Sequence, residues 1–227
     1  MTEGTENSDD VYVPECVDVA EVRGFLHAPS GPSSGSLALT HGAGGNFDAP
    51  LLVASADAWS ARGFTVLRFD LAFRRRKPSG PPHPSKADAD RASIEAAVTY
   101  LRRLRSGPIL LGGHSYGGRQ ASMLVAEQPE LVDGLILMSY PLHPPGKPEK
   151  PRTAHLPQLR TRTMFVHGTK DPFGSPAELS EAIALVPAHT AAIEISGAGH
   201  DLSAQKYGVA DLVQEEAFKF FDVGSWN

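Results

Sequence analysis

The sequence predicts an α/β protein built on a largely parallel sheet with helices on both faces. Three observations predict it. Short, β-rich apolar runs alternate along the chain with longer stretches of helical period, the order that parallel strands and crossover helices require. Several of these runs are apolar throughout, as expected of strands buried on both faces. The loops after two of the strands are long and proline-rich, and they fall at the carboxyl edge, where open parallel sheets bind ligands.

The elements read as follows, in order. Val17–His27 holds one strand or two short ones, and Leu37–Thr40 is the next. Ala49–Arg62 is a helix rich in Ala and Leu that stops at Gly63. Phe64–Asp70 is a strand, followed by the loop Arg74–Ser85 with four prolines. Lys86–Arg105 carries Ile94, Ala97, Val98, Leu101 and Leu104 on one helical face, with Ser85 as its expected cap and Gly107-Pro108 as its stop. Ile109–Gly113 is a strand and Gly118–Glu127 a helix ended before Pro129. Strand Leu135–Ser139 leads into Pro141–Pro157, a loop with six prolines. After strand Met164–His167, the run Ser175-Pro176-Ala177-Glu178 is a capping box that opens a helix over Pro176–Val186. Strand Ala191–Ile195 and helix Val209–Phe221 complete the pattern.

Composition sets bounds on this plan. The 227 residues are 41% hydrophobic, enough for one core, so residues 13–227 are expected to form a single domain. Residues 1–12 are acidic and polar, without the basic flank or apolar centre of a secretory signal, and are expected to be a flexible tail. A net charge of −5 suggests neither a nucleic-acid nor a membrane surface. Cys16, the single cysteine, excludes an intrachain disulfide and fits a cytoplasmic protein. There is no Walker loop, no HExxH and no cysteine cluster, so neither a metal nor a cofactor is expected.

One stretch carries the chemistry. Gly113-His114-Ser115-Tyr116-Gly117 fits G-x-S-x-G between a strand and a helix, the context of a nucleophile elbow. There a strained backbone lifts the serine hydroxyl clear of the sheet, and glycines are needed where side chains would strike the crossing elements. A serine hydroxyl is a weak nucleophile at neutral pH and needs a base. The elbow order is Ser, then acid, then His. His200 lies in SGAGHDLS after the last strand, among small residues. By contrast, His114 adjoins the serine, His167 sits inside a strand, and His143, His155 and His189 lie in less specific loops. Asp171 follows strand Met164–His167 in a strand-to-helix loop and is the expected acid. Asp133 precedes its strand and so lies at the wrong edge, and Asp201 is too close to His200 to face the same ring.

An oxyanion needs two backbone N–H donors. Tyr116, after the nucleophile, supplies one. The second is expected from His41-Gly42-Ala43-Gly44-Gly45, after strand Leu37–Thr40, with Ala43 as first choice and Gly42 as second. This loop does not read as a dinucleotide site, because Phe47 stands where a third glycine is required. Gly42 and His114 are candidates to touch substrate. Arg74-Arg75-Arg76-Lys77 reads either as a lure for carboxylate-bearing substrates or as a solvated loop. Arg119 reads as a brace for nearby loops, without a chemical part.

With strand, elbow, acid and histidine in this order, the chain resembles the α/β-hydrolase superfamily over nearly its whole length. Within it, LTHGAGGNFDAPLL (39–52), GGHSYGGRQAS (112–122) and GLILMSYPLHPPGKPEKPRTAHL (134–156) are similar to the family of testis-expressed protein 30 and the third subunit of the NSL histone-acetyltransferase complex, relatives of dienelactone hydrolase-like proteins. The resemblance implies a capless hydrolase fold with Ser115, Asp171 and His200 as the triad. Many members of that family carry a basic residue and a methionine around the serine, where this chain has His114 and Tyr116. The expected activity is hydrolysis of small-molecule carboxylic esters through an acyl-enzyme. The alternatives are a non-catalytic binding or scaffold protein on the same fold and an acyltransferase. Tyr140–Arg162 is too short and proline-rich for a multi-helix cap. An open cleft with little apolar wall and a preference for acetyl-to-butyryl esters is therefore expected.

Overall fold

The computed structural model describes residues 13–226; the tail expected over residues 1–12 lies outside the described residues. The strands are β1 (Glu15–Val19), β2 (Val22–His27), β3 (Gly35–Thr40), β4 (Phe64–Phe69), β5 (Ile109–His114), β6 (Gly134–Met138), β7 (Thr163–Gly168) and β8 (Thr190–Ile195). They form one sheet in the order β1-β2-β4-β3-β5-β6-β7-β8. Only the pairs β1/β2 and β2/β4 are antiparallel; the other five are parallel. The stretch Val17–His27 is thus a hairpin, turned at Ala20, whose φ is +42°.

Helices α1 (Pro50–Ala61), α2 (Ala72–Arg76), α3 (Ala87–Leu104), α4 (Tyr116–Glu127), α5 (Pro176–Ile183), α6 (Ala204–Tyr207) and α7 (Val209–Phe220) cover the two faces. Strand residues alternate between them. Leu37, Leu39, Val66, Leu110, Ile136 and Val166 pack with Leu52 and Trp59 of α1 and Val213 and Ala217 of α7. Ala38, Leu67, Leu111, Leu135, Leu137 and Phe165 pack with Ile94, Val98 and Leu101 of α3, Leu124 and Val125 of α4 and Leu179 of α5. This two-sided burial explains why the central strands read as continuous apolar runs rather than as alternating ones.

Two local expectations change. Ser85 does not cap α3; its hydroxyl meets His83 Nδ1 at 2.8 Å in a 3₁₀ turn over Pro84–Lys86, and α3 begins at Ala87. The loop after β4 is also not all coil, because α2 occupies its start. The capping box of α5 is present, with Ser175 N–H donating to Glu178 Oε2 at 2.8 Å.

The topology fixes where a site can form. From β3 the chain crosses to β4 on one side of the sheet and later to β5 on the other. The carboxyl ends of β3 and β5 therefore flank the point where the winding reverses, the usual ligand crevice of an open α/β sheet. Thr40 pairs in register with Gly113, so the loop starting at His41 lies beside His114-Ser115.

Candidate active site

Ser115 holds φ +51° and ψ −115° between β5 and α4, a backbone that only an over-determined surrounding sustains. The surroundings supply it. Ser115 N–H donates to Met138 O at 2.8 Å, and its carbonyl accepts from Arg119 N–H at 2.9 Å. A Cβ on Gly113 would lie 2.5 Å from Gly118 N, and one on Gly117 would lie 2.5 Å from the His41 carbonyl. The glycines of the motif thus allow the elbow helix to fold back on its own strand and the neighbouring loop to pass. Gly117→Ala is expected to leave little folded protein, as read by soluble yield and a thermal melt, because the nearest clash is with the His41 backbone carbonyl, which cannot turn aside as a flexible side chain can.

The Ser115 hydroxyl does not cap its helix. It meets His200 Nε2 at 2.7 Å. His200 Nδ1 in turn lies 2.8 Å from Asp171 Oδ2 and 3.0 Å from Oδ1. The Asp171 side chain is fully buried, and its Oδ1 also accepts the Phe173 N–H at 2.8 Å. With Nδ1–H facing the carboxylate, Nε2 is left as the acceptor that faces the serine. Phe173 stacks on the His200 ring with centroids 4.1 Å apart. No sequence signal pointed to this aromatic, because its partner is 27 residues away (200 − 173). The other acids weighed serve elsewhere: Asp133 Oδ2 takes the Ile109 N–H, and Asp201 meets the Ser203 hydroxyl.

His114 Nε2 lies 2.8 Å from the His200 carbonyl, so the residue before the serine ties down the loop that carries the imidazole. Its ring lines the cleft, and Gly42 has no side chain because a Cβ there would come within 2.9 Å of it. Burial lowers the pKa of His114 to about 4, and burial with the nearby Arg119 charge does the same for His155. Both folded values lie below the unfolded value of 6.5. The unfolded chain therefore binds more protons between these limits, and stability present above pH 6.5 is lost as pH falls towards 4. A lower urea midpoint at pH 5 than at pH 7 is expected, with a shallower pH dependence in His155→Gln.

The loop after β3 is held by residues that sequence reading missed. His41 is fully buried, its Nδ1 2.8 Å from Gly42 O, while its Nε2 accepts the Leu71 N–H at 3.1 Å. A trans peptide points its C=O and N–H in opposite directions, so clamping the Gly42 carbonyl also aims the Ala43 N–H. Arg74 is buried, not part of a solvated run. It donates to Gly45 O at 2.7 Å, Ala43 O at 2.9 Å, and Lys77 O and Gly80 O at 3.3 Å. Arg76 and Lys77 are exposed as expected. Among the described residues, no acceptor meets the N–H of Ala43 or Tyr116. The Tyr116 side chain is pinned by its hydroxyl, which donates to Asp90 at 2.8 Å.

These groups open on one cleft of about 1290 Å³ lined by Ser115, His200, Gly42, Ala43, His114 and Tyr116. The expectation of little apolar wall is not met. Leu51, Leu52, Pro81, Pro82, Met123 and Phe173 also line it, brought together from four separate segments. The second proline-rich loop contributes only Arg152. Among the described residues, no large cap covers the cleft. Among the described residues, no helix is long and apolar enough to cross a membrane.

The fold recurs in known structures. Dienelactone hydrolase from Anabaena variabilis superposes with a TM-score of 0.71 at 21% identity, over 89% of this chain and 95% of that one. Est1E from Butyrivibrio proteoclasticus gives 0.73 at 16%, over 92% and 99%. XC6422 from Xanthomonas campestris, described as an α/β serine hydrolase without lid, gives 0.69 at 14%, over 91% and 93%. At such identities the likeness establishes the fold. Residues 33–218 match the family described as alpha/beta hydrolase domain, and the chain belongs to that family.

Proposed function

We propose that the chain is a serine esterase acting on small-molecule carboxylic esters, with Ser115 as nucleophile, His200 as base and Asp171 as its orienting acid. The observation that carries this reading is the unbroken hydrogen-bond chain Ser115 Oγ–His200–Asp171, closed at 2.7 and 2.8 Å. In the reaction, Ser115 Oγ bonds to the ester carbonyl carbon as its proton passes to His200 Nε2. The resulting oxyanion is met by the Ala43 and Tyr116 amides, the second at the amino end of α4, whose dipole favours negative charge. Collapse expels the alcohol, which takes the proton from His200. Water then attacks the acyl-enzyme, gives a proton to the same nitrogen, and releases the acid with Ser115 restored. The three sequence stretches quoted above support the narrower placement beside testis-expressed protein 30.

A fluorophosphonate probe tests the reading. Labelling confined to Ser115, together with turnover of 4-nitrophenyl esters, is the expected result. A folded protein that neither labels nor turns over any ester is a binding module instead.

The apolar wall also revises the expected chain-length profile. Each methylene that finds the wall gains up to about 0.8 kcal/mol, roughly fourfold in kcat/KM. Values for 4-nitrophenyl esters should therefore rise from acetyl to hexanoyl instead of peaking at two to four carbons. A maximum at acetyl would show that the acyl chain does not use Leu51, Leu52 and Met123.

A further inference from the structure

Arg91, Arg119 and Arg152 bring three guanidinium groups to the cleft that holds Ser115. Arg91 is accounted for: it pairs with Asp88 and donates to Gln120 Oε1 at 3.1 Å. Arg119 and Arg152 have no carboxylate partner among the described residues, and Arg119 Nε is buried with no acceptor at all. Two titratable neighbours of Arg119, Tyr140 and His155, are neutral. Tyr140 keeps its proton, its pKa raised to about 12 by burial, and His155 is uncharged, bonded to the Ser122 hydroxyl at 2.8 Å. The two arginines also feel each other, since burial and the Arg119 charge both lower the Arg152 pKa. Two like charges in one cleft, partly out of water and without a carboxylate, are costly unless an anion joins them.

Both are placed rather than adrift. Arg119 sits one turn into α4, bonded through its N–H to the Ser115 carbonyl, about 6 Å along the helix axis from the nucleophile. Arg152 is fixed by its backbone: its N–H donates to Leu142 O and its carbonyl accepts from the Tyr140 hydroxyl, both at 2.7 Å. We propose that Arg119 and Arg152 form a carboxylate-binding subsite of the Ser115 cleft, so that the ester hydrolysed there carries a free carboxylate remote from the scissile bond. Planar guanidinium forks match a carboxylate edge. A phosphate monoester would fit the same forks, but its second charge is disfavoured by Asp88 and Asp201, which line the same cleft. The substrate class rests on the esterase reading; the anion site itself does not.

The test compares kcat/KM for the 4-nitrophenyl half-ester of adipic acid with that for 4-nitrophenyl hexanoate, which has the same length and no charge. The protein should favour the half-ester by roughly ten- to a hundredfold, the range for charge-assisted hydrogen bonds. Arg152→Gln and Arg119→Gln should each bring that ratio close to one, through KM of the half-ester. Arg76→Gln, at an exposed position outside the cleft, should leave it unchanged. A ratio near one in the unaltered protein, or one that survives in both cleft variants, overturns the proposal. A second readout needs no turnover: adipate should raise the Tm of the unaltered protein but not of Arg152→Gln. If no ester is cleaved and adipate still protects, the subsite stands and the esterase reading falls. If esters are cleaved without charge preference or protection, the subsite falls and the esterase stands. Stronger protection by inorganic phosphate than by adipate overturns the carboxylate assignment.

Discussion

Asp171→Asn is expected to fold normally and to lose about three to four orders of magnitude in kcat, a smaller loss than that in Ser115→Ala. The direction of the amide follows from the local hydrogen bonds. Oδ1 accepts the Phe173 N–H at 2.8 Å, so the asparagine oxygen takes that position. Its NH2 then occupies the site of Oδ2, 2.8 Å from His200 Nδ1. There it also faces His167 Nδ1, which has no hydrogen-bond partner among the described residues and lies 3.9 Å from Oδ2. An NH2 against Nδ1 holds that nitrogen unprotonated and moves the ring proton to Nε2. The nitrogen facing Ser115 can then no longer accept its proton. Initial rates with a saturating aryl ester check this, with the thermal melt as a control for folding. Near-normal turnover would move the role to another carboxylate, yet Asp133 and Asp201 are both engaged elsewhere.

The parts of this site legible in the sequence are those that local chemistry forces. A serine on a strand-to-helix elbow needs glycines at 113 and 117, because backbone passes within 2.5 Å of where their Cβ atoms would be. The order of Ser115, Asp171 and His200 follows from each standing after a strand of one parallel sheet, so that all three reach the same edge. The strands were legible because two-sided burial writes continuous apolar runs. Short elements were not: α2 and α6 have five and four residues, too few to show a period. The cleft wall was equally hidden, since Leu51 and Pro81 meet only through the fold. Phe173 and His114 serve His200 through contacts that no spacing announces.

Arg74 shows the limit most sharply, because in sequence it is one member of a basic run, and charge runs usually face water. In the structure it is 4% exposed and donates to four carbonyls. Two of these, Ala43 O and Gly45 O, belong to the loop after β3. The hold is itself anchored: Arg23 reaches the Arg74 carbonyl at 3.4 Å and Asp70 at 2.5 Å, and Asp70 takes the Phe47 N–H at the far end of the same loop. Arg74→Met keeps much of the side-chain bulk and removes every donor. Each buried carbonyl left unpaired costs about 1–3 kcal/mol, and water can recover those on the exposed side at Lys77 and Gly80. A loss of about 2–4 kcal/mol is therefore expected from urea denaturation. The catalytic effect should be separate and large. With Ala43 O released, the preceding peptide is held through the Gly42 carbonyl alone, by His41 and the Gly45 N–H, and the Ala43 N–H loses part of its aim. An oxyanion donor lost outright lowers kcat by about a hundred- to a thousandfold, so a loosened one should lower it by roughly ten- to a hundredfold, with KM little changed. Arg74→Lys places one ammonium where a planar fork reached several carbonyls, and should fall between. If Arg74→Met loses stability but keeps its kcat, the tether holds the loop without setting the oxyanion geometry, and the second donor must be sought outside the segment from Gly42 to Gly45.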